Sequence, residues 1–292
     1  MVSSKKLRKP FIALLKISVS LLAIYLIINQ VNSQNLKDIL RNSDPAYLGL
    51  GLLLLILSQF SSAHRLKYLL EVCGAKVPGT WNLKLYFVGM AYNLFLPGGV
   101  GGDAYKVMLL NRKYQVPKKQ LAFVLILDRL SGLLAILVLS LALSHWVMET
   151  WPLQTLWWVS IPFGVAFSAY LMKRFAPNYF PLFPKVSVLA LGIQILQVVS
   201  ILCLAYAVDF EATFIDVSFI FLLSTLATTI PVFLGGIGAR EGVFALVAGM
   251  WVLNSEKAVA TALCFSAITI IASLPGLYFD WTISRESTPV VE

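Results

Sequence analysis

The chain has 292 residues, of which 59% are hydrophobic and 13% charged, with a mean hydropathy of +0.81. Soluble domains carry about a quarter charged residues, so the composition argues against a water-soluble enzyme and places the surplus apolar surface in lipid. The formal net charge of +9, from 23 basic and 14 acidic residues, would suggest nucleic acid in a soluble protein; in this chain it is first a marker of membrane sidedness.

In chain order, Lys5, Lys6, Arg8 and Lys9 precede a first apolar run, Phe11–Gln30. This start resembles a signal peptide, but the run is too long for a typical apolar core and no small-residue cleavage site follows, so a retained anchor is expected. Asn35–Arg41 reads as a short interfacial helix and Ala46–Ala63 as the second span. Leu83–Leu96 then runs into Pro97, Gly98, Gly99, Val100, Gly101, Gly102 and Asp103, and resumes to about Leu110. Gln120–Ser144, Leu156–Met172 and Val186–Val208 are the next spans. Val217–Ile230 is interrupted in its turn by Pro231 and by Gly235, Gly236 and Gly238, resuming as Ala239–Val252, and Ala258–Trp281 is the last span. Residues 284–292 read as a tail.

Proline removes a donor and glycine favours non-helical backbone, so each interrupted segment is expected to be a helix–loop–helix hairpin. Such backbone is tolerated at membrane depth only where protein or water surrounds it. The predicted fold is therefore all-α and polytopic, a single domain of about six full spans and two re-entrant hairpins. The positive-inside rule fits this arrangement. With the N-terminus cytoplasmic, Arg65, Lys67, Lys76, Lys84, Arg112, Lys113, Lys118, Lys119, Lys173, Arg174, Lys185 and Arg285 also fall inside, whereas Lys37, Arg41 and Lys257 fall outside. A multi-pass protein of the cell membrane with both termini cytoplasmic is expected.

The two glycine motifs align from Gly98 to Gly235, 137 residues apart. The same offset carries the second span into the fifth and the third almost onto the sixth, so halves of about 1–147 and 148–283 are expected to form a repeat. An odd number of crossings per half would invert the second copy, a pattern found in transporters. Chance recurrence of a short glycine motif is the competing explanation.

Ionisable side chains at membrane depth are expensive and are functional candidates by default. Six stand out: Asp103, Lys106, Asp128, Arg129, Arg240 and Glu241. In the structural reading they are ion pairs that hold helices together. In the functional reading, glycine loops before half-helices present backbone N–H groups to an oxyanion, with Lys106 and Arg240 adding charge. Asp103 and Glu241 fit either helix caps or proton-titrating carboxylates. Asn93, Thr228 and Thr229 precede the breaks and either line the site or bond between helices.

Other signals are bland. Gly98–Asp103 lacks the Gly-Lys-Ser/Thr ending of a phosphate loop. Cys73, Cys203 and Cys264 have no Cys-x-x-Cys spacing, and His64 and His145 form no metal cluster, so neither metal nor cofactor is expected. Trp146, Trp151, Trp157 and Trp158 read as an interfacial aromatic belt.

Three ordered stretches carry a resemblance: Asn93 to Asp103, Leu127-Asp128-Arg129-Leu130-Ser131-Gly132-Leu133, and Ile230-Pro231 through Gly242. They resemble the lysylphosphatidylglycerol synthase transmembrane-region family of flippase-like proteins, over nearly the whole chain. The pattern departs at Lys106, where relatives often carry Arg, and at Val232-Phe233, where a small polar residue is usual. Larger members fuse this region to a soluble aminoacyl-transferase domain, for which this chain leaves no room; the resemblance implies a stand-alone member without synthase activity.

The expected function is translocation of an anionic phospholipid or polyprenyl-phosphate-linked glycolipid between leaflets, passively or coupled to an ion. The substrate site would comprise Asn93, Gly98, Gly99, Gly101, Gly102, Asp103, Lys106, Asp128, Arg129, Gly235, Gly236, Gly238, Arg240 and Glu241. The alternative is an accessory subunit presenting a lipid-linked substrate to a separate glycosyltransferase or synthase. An intramembrane enzyme ranks below both, because no nucleophile–base set is recognisable. Membrane lipids with anionic head groups are the expected partners, with a homo-oligomer or a partner enzyme as further options and no nucleic acid.

Overall fold

The computed structural model describes residues 33–95, 101–147, 155–229, 236 and 238–286. The first predicted span, Phe11–Gln30, and its basic flank lie outside these residues, as do Gly98, Gly99, Gly235, Trp151 and the side chain of Trp157.

The elements formed by the described residues are all helices. In order they are α1 (Ser33–Arg41), α2 (Pro45–Val72), α3 (Gly79–Phe95), α4 (Gly101–Tyr114), α5 (Lys118–Val147) and α6 (Thr155–Phe175). A 3₁₀ turn (Pro177–Leu182) leads to α7 (Phe183–Ala207), α8 (Phe214–Thr229), α9 (Ala239–Met250), α10 (Ser255–Ser273) and α11 (Pro275–Glu286).

Local chemistry sets several boundaries. Asp44 accepts from the Ala46 N–H at 2.8 Å, with Pro45 opening α2 where a missing N–H costs nothing. Asn254 caps α10 through the Lys257 N–H. Each interrupted segment carries two helices among the described residues, α3 and α4 in the first and α8 and α9 in the second. The last predicted span, Ala258–Trp281, falls within one apolar helical stretch, Ser255–Ile283, interrupted at a single residue: α10 ends at Ser273 and α11 begins at Pro275. Its mean hydropathy stays high across the interruption, which hid the effect of a proline that cannot donate to the preceding turn.

Four helical stretches, Pro45–Val72, Lys118–Val147, Pro177–Ala207 and Ser255–Ile283, are long and apolar enough to cross a bilayer. Their outer faces leave Leu53, Ile126, Leu130, Val188, Ile195 and Ile271 exposed. On a soluble protein, apolar surface of that extent would drive association; in a membrane it meets acyl chains.

The 137-residue offset can be applied to the bounds of four helices. It carries α2 to 182–209, α3 to 216–232, α4 to 238–251 and α5 to 255–284, within a few residues of α7, α8, α9 and the α10–α11 pair. Packing follows the same pattern. The equivalent helices α2 and α7 make the most extensive contact, and each broken pair, α3–α4 and α8–α9, packs on itself. Helix α5 of the first half lies against α8 of the second, and α11 of the second lies against α3 of the first. Two apolar cores result. One joins Leu55, Leu204, Phe221, Phe244 and Phe265 around α8–α10. The other joins Leu66, Leu69, Trp81, Leu85, Val124 and Ile283 around α3–α5.

Candidate functional site

The first broken pair is held at very short range. A Cβ added at Gly102 in α4 would collide with the Gly89 carbonyl of α3, and one at Gly89 would collide with the Lys106 side chain. Only glycine at both positions lets the helices cross this closely and leaves a channel for the lysine stem. Across the break, Asn93 accepts the Gly102 N–H at 2.9 Å.

Asp103, in the first turn of α4, is buried. It accepts a hydrogen bond from Arg129 Nε on α5 and lies 3.3 Å from Lys106 Nζ one turn on. The Lys106 ammonium also sits 4.4 Å above the Tyr86 ring centroid. The Arg129 side chain remains 40% exposed, so it holds Asp103 while keeping an accessible face. One carboxylate is thus shared by two cations.

Asp128 precedes Arg129 but serves another partner. It accepts from Arg65 Nε at 2.8 Å, and both side chains are buried. Arg65 is a correction to the sequence expectation, which placed it in a cytoplasmic loop after Ala63. Helix α2 instead continues to Val72, because Leu66, Leu69 and Leu70 carry its apolar face at helical spacing past the polar residues His64, Arg65 and Lys67. A second residue was missed for a simpler reason. Asp280 lay inside the predicted last span and met the same criterion as the six candidates. It accepts from Tyr92 at 2.9 Å and from Tyr105 at 2.7 Å, whose rings stack at 4.1 Å, and so ties α11 to both helices of the first broken pair.

The second broken pair is built differently. Gly236 and Gly238 both adopt positive φ (82° and 89°), a conformation that favours glycine, and Gly238 precedes the first residue of α9. Glu241 is 2% exposed. One of its oxygens accepts the Gly238 N–H at 2.7 Å and the other accepts from Ser266 at 2.6 Å. It therefore caps its own helix rather than pairing with the adjacent arginine. The Thr228 and Thr229 hydroxyls bond back to carbonyls of α8.

Arg240 has no such compensation. Its guanidinium lies 4.5 Å from the Phe265 ring centroid and 6.0 Å from that of Phe221. Its Nε is buried without a hydrogen-bond partner among the described residues. No carboxylate of those residues lies within ion-pair range of it. Aromatic faces hold a cation through their quadrupole but leave its N–H donors unfilled.

The predicted site residues thus fall into two clusters, one per half. Asn93, Gly101, Gly102, Asp103, Lys106 and Arg129 gather at the first break, with Asp128 behind them on Arg65. Gly236, Gly238, Arg240 and Glu241 gather at the second. The Gly102 and Gly238 N–H groups, expected as donors to an oxyanion, are taken by Asn93 and Glu241. Positive charge for an anion therefore comes from side chains: Arg240 in one half, and Arg129 with Lys106 in the other. Among the described residues no group of His, Cys, Asp and Glu is arranged to hold a metal.

Long apolar helices, exposed apolar outer faces and two broken helix pairs carrying buried charge define a polytopic helical membrane protein. The chain belongs to the lysylphosphatidylglycerol synthase TM region family, whose sequence model matches residues 13–186 and 180–276. Comparison with curated proteins returns no significant match.

Proposed function

We propose that this protein moves a lipid with an anionic head group between the two leaflets, an anionic phospholipid or a polyprenyl-phosphate-linked glycolipid. The observation that carries this reading is Arg240: a guanidinium at a helix start, stacked on Phe265, with a buried Nε that no group among the described residues accepts from. An unfilled buried donor is costly, and a phosphate or carboxylate oxygen of a lipid would fill it. The cluster of Asp103, Lys106 and Arg129 supplies two further cations around one carboxylate, with Arg129 accessible. Membership of a lipid-related family supports the choice of substrate class. The repeat of elements at 137-residue spacing supports a two-state rocking of one half against the other, the usual consequence of inverted repeats.

The test is leaflet exchange in proteoliposomes containing the full chain and fluorescent phosphatidylglycerol, with phosphatidylcholine as the neutral comparison. The wild type is expected to accelerate exchange of the anionic lipid. Arg240→Ala should slow it by about 10–100-fold, the equivalent of one hydrogen bond to a charged group. Exchange at the protein-free rate for every anionic lipid tried would overturn the proposal, and a wild-type rate in Arg240→Ala would remove that residue from the substrate path.

A further inference from the structure

A second lipid-related feature lies away from the charged clusters. Helices α5, α6 and α7 enclose an apolar cavity of about 490 Å³, walled by Leu127, Leu134, Leu171, Phe175 and Val186. It adjoins a second cavity of about 710 Å³ near the start of α5, lined by Lys119, Gln120, Asn178 and Tyr179. Phe123 lines both, so the two lie end to end along α5, an inner apolar compartment and an outer polar one.

The groove is longer than the apolar depth of one leaflet. From Phe123 to Leu137 the groove follows α5 for about 21 Å at 1.5 Å per residue, against about 15 Å for half the hydrocarbon core. Its polarity is graded along that length. The inner compartment is walled mainly by aliphatic and aromatic side chains. The outer one brings together an amide from Gln120, an amide from Asn178 and the Lys119 ammonium, and no carboxylate among the described residues lines it. Two more cations are chain neighbours of lining residues without lining either compartment. Arg174 stacks on Phe175 at 5.6 Å, and Lys185, beside Val186, sits 3.4 Å from the Tyr68 ring centroid.

From this we infer that the groove between α5, α6 and α7 is a peripheral binding site for an anionic glycerophospholipid of the surrounding leaflet. One acyl chain lies along α5 and the phosphate sits against Lys119 and Asn178. The charge argument selects the occupant: a neutral zwitterionic lipid would fill the apolar part equally well, but only an anionic head group gains a net attraction from Lys119 at an end that no carboxylate of the described residues lines. The site uses none of the residues placed in the translocation path. It would hold a lipid beside the protein whether or not the protein moves one.

Photolabelling tests it. The full chain is reconstituted in phosphatidylcholine liposomes with trace phosphatidylglycerol bearing a diazirine on one acyl chain, then irradiated, digested and mapped by mass spectrometry. The matching diazirine phosphatidylcholine serves as the comparison. Labelling should concentrate in residues 119–137 and 168–187 and favour the anionic lipid. Lys119→Gln, a change at an exposed position, should lower that preference by about fivefold, the share of one lysine near an anionic head group. Ser168→Trp, which fills the apolar compartment, should lower labelling in these segments several-fold. Labelling spread evenly over all outward-facing helices, or equal labelling by the two lipids in the wild type, would overturn the inference. Groove labelling alongside background leaflet exchange would overturn the translocator reading and leave this site standing.

Discussion

The two broken helix pairs occupy equivalent positions in the repeat but solve the problem of buried charge in opposite ways. Adding 137 to Asp103, Arg129 and Asp128 gives Arg240, Ser266 and Phe265. Where the first half places a carboxylate against two cations, the second places a cation against an aromatic ring. Where Asp128 neutralises Arg65, the second half has Phe265 and Leu202, neither of them charged. The crossing differs too. Gly102 must be glycine because of the Gly89 carbonyl, whereas its equivalent, Ala239, carries a Cβ. A third asymmetry is the Asp280 clamp on Tyr92 and Tyr105, whose equivalents are Leu143, Thr229 and Gly242. The first half is thus cross-linked by ionic and hydrogen-bonded pairs, while in the second Arg240 feels Glu241 only through space and makes no ion pair with a described residue. A duplicated scaffold can hold one half firm and leave the other chemically open.

Mutations that separate stability from transport would break or sharpen this contrast. The largest loss of stability is expected for Asp128→Ala, which strands Arg65 without a counter-charge; about 3–5 kcal/mol should be lost in denaturant unfolding in mixed micelles. Replacing the pair together, as Arg65→Met with Asp128→Leu, should recover most of that loss, because no unpaired charge is then buried. Next comes Gly102→Ala, expected to cost about 1–3 kcal/mol as the Cβ forces α3 and α4 apart. If melting temperature did not fall in that variant, the tight crossing would not be a structural requirement. Glu241→Ala removes the acceptor of the Gly238 N–H and of the Ser266 hydroxyl and should cost about 1–3 kcal/mol, with Glu241→Gln retaining part of the effect. The smallest change is expected for Arg240→Ala, about 1–2 kcal/mol, since it gives up a buried cation–π contact but no ion pair. A loss as large as that of Asp128→Ala would show Arg240 to be scaffolding and erase the contrast between the halves.

The sequence by itself determined the all-helical membrane class, the positions of both breaks and the 137-residue periodicity. These are legible because hydropathy, proline and glycine act locally, each within a turn or two of where it stands. The same local rules failed where two signals overlapped. The polar stretch around Arg65 concealed the continuation of α2, and the apolar stretch around Leu274 concealed the one-residue interruption before Pro275. The six charged candidates were also visible from sequence, but their partners were not. Arg65 and Asp128 are 63 residues apart in the chain, and Tyr92 and Asp280 are 188 apart. Only the packing of α2 on α5 and of α11 on α3 brings such groups within hydrogen-bond reach, and no periodicity records it. Tertiary structure likewise decided that Glu241 turns back to cap its own helix while its neighbour Arg240 faces Phe265. The physical reason is that a charge's role depends on what shares its low-dielectric surroundings, and chain order does not specify those neighbours.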